Sequence, residues 1–88
     1  MYNYAIALGG IQAQLGKPDL AIQAYEKAIQ SAPDAPERWR VEAALAQLYA
    51  RLGNIPKALE YARSAQSLAP DDQKQALATL IQQLGGQP

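Results

Sequence analysis

Leu15-Gly16-Lys17-Pro18-Asp19-Leu20-Ala21-Ile22-Gln23-Ala24-Tyr25-Glu26-Lys27-Ala28-Ile29 is answered, further along the chain, by Leu52-Gly53-Asn54-Ile55-Pro56-Lys57-Ala58-Leu59-Glu60-Tyr61-Ala62-Arg63-Ser64-Ala65-Gln66. An Ala-Pro-Asp follows each stretch, at 32–34 and at 69–71. Gly16 pairs with Gly53, Ala21 with Ala58, Ala28 with Ala65 and Pro33 with Pro70, all at one offset of 37 residues. Repetition of this length marks stacked helical units, each with an apolar face that it cannot bury alone and covers against its neighbour.

The surrounding sequence divides into five helices at the 3.6-residue period. Tyr4, Leu8, Ile11 and Leu15 form one stripe of the first helix, which Gly16 ends. Pro18 suits the first turn of the second. Leu20, Ala21, Ala24, Tyr25, Ala28 and Ile29 carry the pattern on until Ala32-Pro33, because proline disfavours helical geometry in the residue before it. A third helix starts around Pro36-Glu37, with Val41, Ala44, Leu45, Leu48, Tyr49 and Leu52 as its buried stripe, and closes at Gly53. Asn54 is a good N-cap for a fourth, in which Ile55, Ala58, Leu59, Ala62, Ala65 and Leu68 face inward. Asp71-Asp72 are expected to cap a fifth, with Ala76, Leu77, Leu80, Ile81 and Leu84 inside. The short gaps force antiparallel neighbours.

Composition narrows the function. The chain has 88 residues, enough for one core, and its 49% apolar content is carried largely by Ala and Leu with no Phe, which favours closely packed helices over strands. Eight Lys and Arg balance eight Asp and Glu, so no net polyelectrolyte attraction to nucleic acid or anionic lipid exists. Cys and His are absent, which removes disulfides, thiolate chemistry and the usual zinc and redox-metal ligands. The start, Met-Tyr-Asn-Tyr-Ala-Ile, has neither the basic region nor the apolar run of a secretory signal or membrane span. The default expectation is a cytoplasmic, cofactor-free chain.

An enzyme is not expected. Acid–base catalysis needs two groups with separated pKa values around a pocket, and a nucleophile needs an activating base. Ser31, Ser64 and Ser67 lie near helix ends with no His to activate them, and read as capping or solvent-facing residues. Glu26, Glu37, Glu42 and Glu60 read as carboxylates of polar helix faces, with ordinary surface spacing from Glu37 to Val41 and from Arg38 to Glu42.

The ordered residues resemble the tetratricopeptide repeat family, in which a Trp-x2-Leu-Gly-x2-Tyr segment is followed by a small Ala, an aromatic, a second Ala and a closing Pro. Leu8-Gly9, Ala21, Tyr25, Ala28 and Pro33 match in the first unit, and Leu45, Tyr49, Ala58, Ala65 and Pro70 in the second. Small residues there let the two helices of a unit approach closely. The resemblance implies an all-α domain spanning 1–88, built as a short right-handed α-solenoid of five helices: unit one at 2–34, unit two at 36–70 and a capping helix at 72–84. Ala5 and Glu42 stand where the family places an aromatic, Gln12 replaces its tyrosine and Ala46 its glycine. The period exceeds the usual 34 by three residues, which are assigned to a lengthened start of the third helix at Pro36-Glu37-Arg38.

The same resemblance implies a protein–protein interaction module holding a peptide or protein segment in a concave groove, an assembly or scaffold factor in the broad sense. Its groove-facing slots fall on Asn3, Ile6, Gly10, Ala13 and Gln14, then on Arg40, Ala43, Gln47, Ala50 and Arg51, flanked by Lys74 and Leu77. The clamp with which some members hold a C-terminal carboxylate maps to Ile6, Gly10, Ala44, Lys74 and Ala78, and keeps only its lysine. Trp39, between Arg38 and Arg40, is either a partner anchor or packing at the end of the second helix, and packing is favoured. The alternative function is a self-associating repeat. Tyr2 and Ile6 lie off the first helix's stripe and would meet a second copy or a missing upstream repeat.

Overall fold

The computed structural model describes residues 2–31 and 38–85, with side chains from Ala7 onward. Among the described residues there are five helices and no strand: α1 (Tyr2–Gln14), α2 (Pro18–Ser31), α3 (Arg38–Arg51), α4 (Ile55–Leu68) and α5 (Asp71–Gln83). α1 packs on α2, α2 on α3, α3 on α4 and α4 on α5, so two helical hairpins and a last helix stack in chain order. The molecule is a slab of 32 × 28 × 17 Å, and its thin dimension accommodates two helices laid side by side.

Both hairpins turn in the same way. Gly16 and Gly53 adopt φ of 75° and 80°, the left-handed region that side chains disfavour. Gly16 N–H donates to the Ala13 carbonyl and Lys17 N–H to Gln12; Gly53 N–H donates to Ala50 and Asn54 N–H to Tyr49. The paired 5→2 and 6→1 bonds satisfy the last carbonyls of α1 and α3. α2 then begins at Pro18. Asn54 caps α4, its side chain accepting from Lys57 N–H at 3.3 Å.

Small residues make the contacts within each hairpin. Ala21, Ala28, Ala58, Ala62 and Ala65 are all fully buried. Ala21, Ile22, Val41, Leu45 and Leu48 form the cluster that joins the two hairpins. Ala46, Ala62 and Ile81 form a second, and Ala65, Ala69 and Leu77 a third that holds α5 in place.

Several expectations are corrected. Ile11 and Leu15 are exposed, because α1 meets α2 through Gly9, which is buried, and the helix axes draw together along its smallest residue rather than along its largest. Leu20, Leu52 and Leu68 are also exposed, as is Ala76; Leu52 and Leu68 sit at helix ends, where the chain turns away from the core. Asp71 and Asp72 lie inside the first turn of α5, whose N-cap is Pro70 with no side-chain bond; there the carboxylates oppose the positive end of the helix dipole instead. α3 has 14 residues, like α2 and α4, so its described part is not lengthened. Pro36-Glu37 and the Ala32-Pro33 stop lie outside the described residues.

Candidate functional site

The helical spacing of Arg40, Gln47 and Arg51 places them on one face of α3, and all three are exposed. Where that face meets the first hairpin there is a depression of about 130 Å³, lined by Ala13, Tyr25, Ala44, Gln47, Leu48 and Arg51. α1 supplies Ala13, α2 Tyr25 and α3 the other four. The floor is apolar and the rim carries an amide and a guanidinium. Burial pushes the Tyr25 phenol above its ordinary range, so it stays a neutral hydroxyl at physiological pH. The volume is below the several hundred Å³ of small-molecule sites.

Of the groove residues expected from the sequence, Ala13, Gln47 and Arg51 come together here. Gln14 is exposed at the end of α1. Arg40 lies three turns before Arg51, its guanidinium carbon 5.4 Å from the Trp39 ring centroid. Lys74 does something else: its ammonium donates to the carbonyls of Gln66 at 2.9 Å and Ser67 at 3.4 Å, at the C-terminus of α4. The side chains of Tyr2, Asn3 and Ile6 lie outside the described residues. The sequence spacing puts Tyr25, Ala44 and Leu48 in buried stripes, and what marks them as lining is only the gap left between α1 and α3.

Trp39 packs, with Ala43, against the Ala65, Ala69 and Leu77 cluster of α4 and α5. It belongs to the seam that fixes α5.

Two carboxylates assigned to polar surface are structural. Glu42 is 2% exposed; its Oε2 accepts from Ser64 Oγ at 2.8 Å and from Arg38 Nη2 at 3.4 Å. Ser64 is therefore neither a cap nor solvent-facing, and the Arg38 contact is a half-buried ion pair. The position that an aromatic would fill in α3 is filled by a charge held from α3 and α4 together. Glu26 Oε2 accepts from Tyr49 at 2.8 Å and from Tyr61 at 3.1 Å, and the two rings stack at 5.8 Å with 10° between their planes. Burial first, and then the Glu26 hydrogen bond, push the Tyr49 phenol up to about 12. Tyr61 is also raised, by burial and then by the charge of Glu26. These groups lock α2, α3 and α4 together. Among the described residues no group of His, Cys, Asp and Glu could hold a metal ion, and no helix is long and apolar enough to cross a membrane.

A family model described as tetratricopeptide repeat matches residues 1–71. The chain is also similar to a protein named "Protein CTR9 homolog" from Arabidopsis thaliana, with 40% identity over 65 residues that make up 74% of this chain and 6% of that protein. The chain thus spans a small fraction of that relative's length. No solved structure matches it significantly.

Proposed function

Since the chain belongs to the tetratricopeptide repeat family, a family of non-enzymatic protein-interaction repeats, we propose that it binds an extended peptide or protein segment along α3, in the groove between α1 and α3, and acts as an assembly or scaffold module. The observation that carries this reading is the depression floored by Ala13, Ala44 and Leu48 with Gln47 and Arg51 at its rim. A groove of this kind takes one small apolar side chain and hydrogen-bonds the backbone beside it. Arg40 and Arg51 stand about 16 Å apart along α3 at 1.5 Å per residue, which is about five residues of extended chain. An acidic or amide-rich partner segment fits that spacing. The units belonging to this reading are 2–34 and 36–70, with 72–84 as the solvating cap.

The test is a set of extended peptides, acidic, amide-rich and basic, titrated against the chain at low and high salt. Acidic peptides should bind best, and Arg40→Glu with Arg51→Glu should weaken binding and flatten its salt dependence together. Unchanged affinity in the double variant places the partner elsewhere.

A further inference from the structure

At the N-terminal end of the stack, on the side of the first hairpin away from α3, lies a second groove of about 130 Å³, lined by Leu8, Gln12, Leu20, Gln23, Ala24 and Lys27. Ile11 beside it is 54% exposed and Leu20 within it 43%. The internal repeat shows what such a surface does in this molecule. At the 37-residue offset Leu8 and Ile11 correspond to Leu45 and Leu48, which are buried in the cluster shared with Ala21 and Ile22 of α2. The first hairpin thus presents, with nothing among the described residues covering it, the surface that the second hairpin buries against a helix. Leu15 corresponds to Leu52, which is exposed as well, and so adds nothing.

The opposite end of the stack is chemically different. α5 exposes Gln75, Ala76, Thr79 and Gln82, and stacking that end onto the N-terminal groove would bury amides and a hydroxyl against isoleucine and leucine. Pairing the N-terminal end with itself sets Ile11 and Leu20 of one copy against those of the other and brings each Gln23 amide opposite its own counterpart, which can satisfy it, in the closed arrangement of a twofold dimer. The charges fit the same symmetry. Asp19, Gln23 and Lys27 follow at four-residue steps along α2, all exposed. In an antiparallel twofold pairing centred on Gln23, Asp19 of each copy stands opposite Lys27 of the other. We infer that this end face is a self-complementary interface for a second copy of the chain, with Ile11 and Leu20 as its apolar centre and two Asp19–Lys27 contacts at its rim. It is separate from the peptide groove and does not depend on it.

Sedimentation equilibrium on the full chain and its variants tests this, with circular dichroism to confirm that each variant keeps its helicity. The wild-type chain should dimerise with concentration, and Ile11→Glu should leave it monomeric. Asp19→Lys and Lys27→Asp each set like charges against one another twice and should weaken the dimer roughly tenfold. Mixing those two variants restores both opposite-charge contacts in the mixed dimer, and should recover wild-type strength. A wild-type monomer at the highest attainable concentration overturns the inference, as does a dimer indifferent to Ile11→Glu or a mixture no stronger than its components. A monomer that instead takes up an amphipathic helical peptide at Ile11 and Leu20 also overturns it, by giving the face a different occupant.

Discussion

Gly9 lies directly against the ring of Tyr25: a methyl group on its Cα would come within 2.9 Å of Tyr25 Cε1 and Cζ. The first hairpin is closed by this contact of backbone on aromatic face. Gly9→Ala sets two terms against each other, a helix-propensity gain of about 1 kcal/mol and an overpacking cost of about 1–3 kcal/mol. The expected net effect in chemical denaturation is a loss of about 1 kcal/mol. In a Tyr25→Ala background the clash is gone, and Gly9→Ala should become stabilising. A sign that does not change between the two backgrounds would show that the ring is not the obstacle.

Ala28 of α2 is fully buried, and a larger side chain there must push the neighbouring helices apart. Ala28→Leu should lower stability by about 1–3 kcal/mol. An unchanged denaturation midpoint would refute the close-packing account.

Glu42 and Ser64 form a pair whose members should not be separable without cost. Ser64→Ala removes the 2.8 Å donor and leaves a buried carboxylate short of a hydrogen bond, for a loss of about 1–3 kcal/mol. Glu42 Oε1 is itself buried with no hydrogen-bond partner among the described residues. Glu42→Leu, of similar volume, takes the acceptor away from the Ser64 hydroxyl and the Arg38 guanidinium and should itself cost about 1–3 kcal/mol, while Ser64→Ala in that background should cost little. Thermal unfolding of the two single variants and the double variant closes the cycle.

The Tyr49–Glu26–Tyr61 lock predicts an alkaline limit to stability. The folded state favours the neutral phenol, raising Tyr49 from 10.0 to about 12. Its contribution is complete below the unfolded value and is lost as pH rises through the folded one. Stability should hold to about pH 10 and fall toward pH 12, with Tyr61 contributing in the same direction. Tyr49→Phe should lower stability at neutral pH and reduce the alkaline slope; denaturation midpoints taken across that range read both effects.

Lys74 separates capping from binding. Its ammonium holds the C-terminal carbonyls of α4, so Lys74→Met should cost up to about 1 kcal/mol. Peptide affinity at Arg40 and Arg51 should not change. Weaker peptide binding in a fully folded Lys74→Met chain would return this lysine to the groove.

The order of elements, four of their ends and the small buried positions could be read from the chain, because they depend on local chemistry at repeat spacing: Gly16 and Gly53 as left-handed stops, Pro18 and Asn54 as starts, Ala21, Ala28, Ala58 and Ala65 where helices pack closely. Periodicity shows only that a helix has an apolar face, not which neighbour fills it. In α1 nearly every side is apolar or small, so the spacing of Tyr4, Leu8, Ile11 and Leu15 alone assigns them to the hairpin contact. The backbone approach at Gly9 turned Ile11 and Leu15 outward instead. Charge misled in the opposite way. Glu42 and Glu26 have surface-like spacing along their own helices, and only the packing of α3 and α4 brings Ser64, Tyr49 and Tyr61 onto them from 22, 23 and 35 residues away. Local chemistry along the chain specifies a repeated helical hairpin and its family. Only the packing of the helices shows which faces the described residues leave uncovered, at the α1–α3 groove and beside Leu20 on the first hairpin, because such a face is defined by the helix that does not cover it, and no residue's own chemistry encodes that.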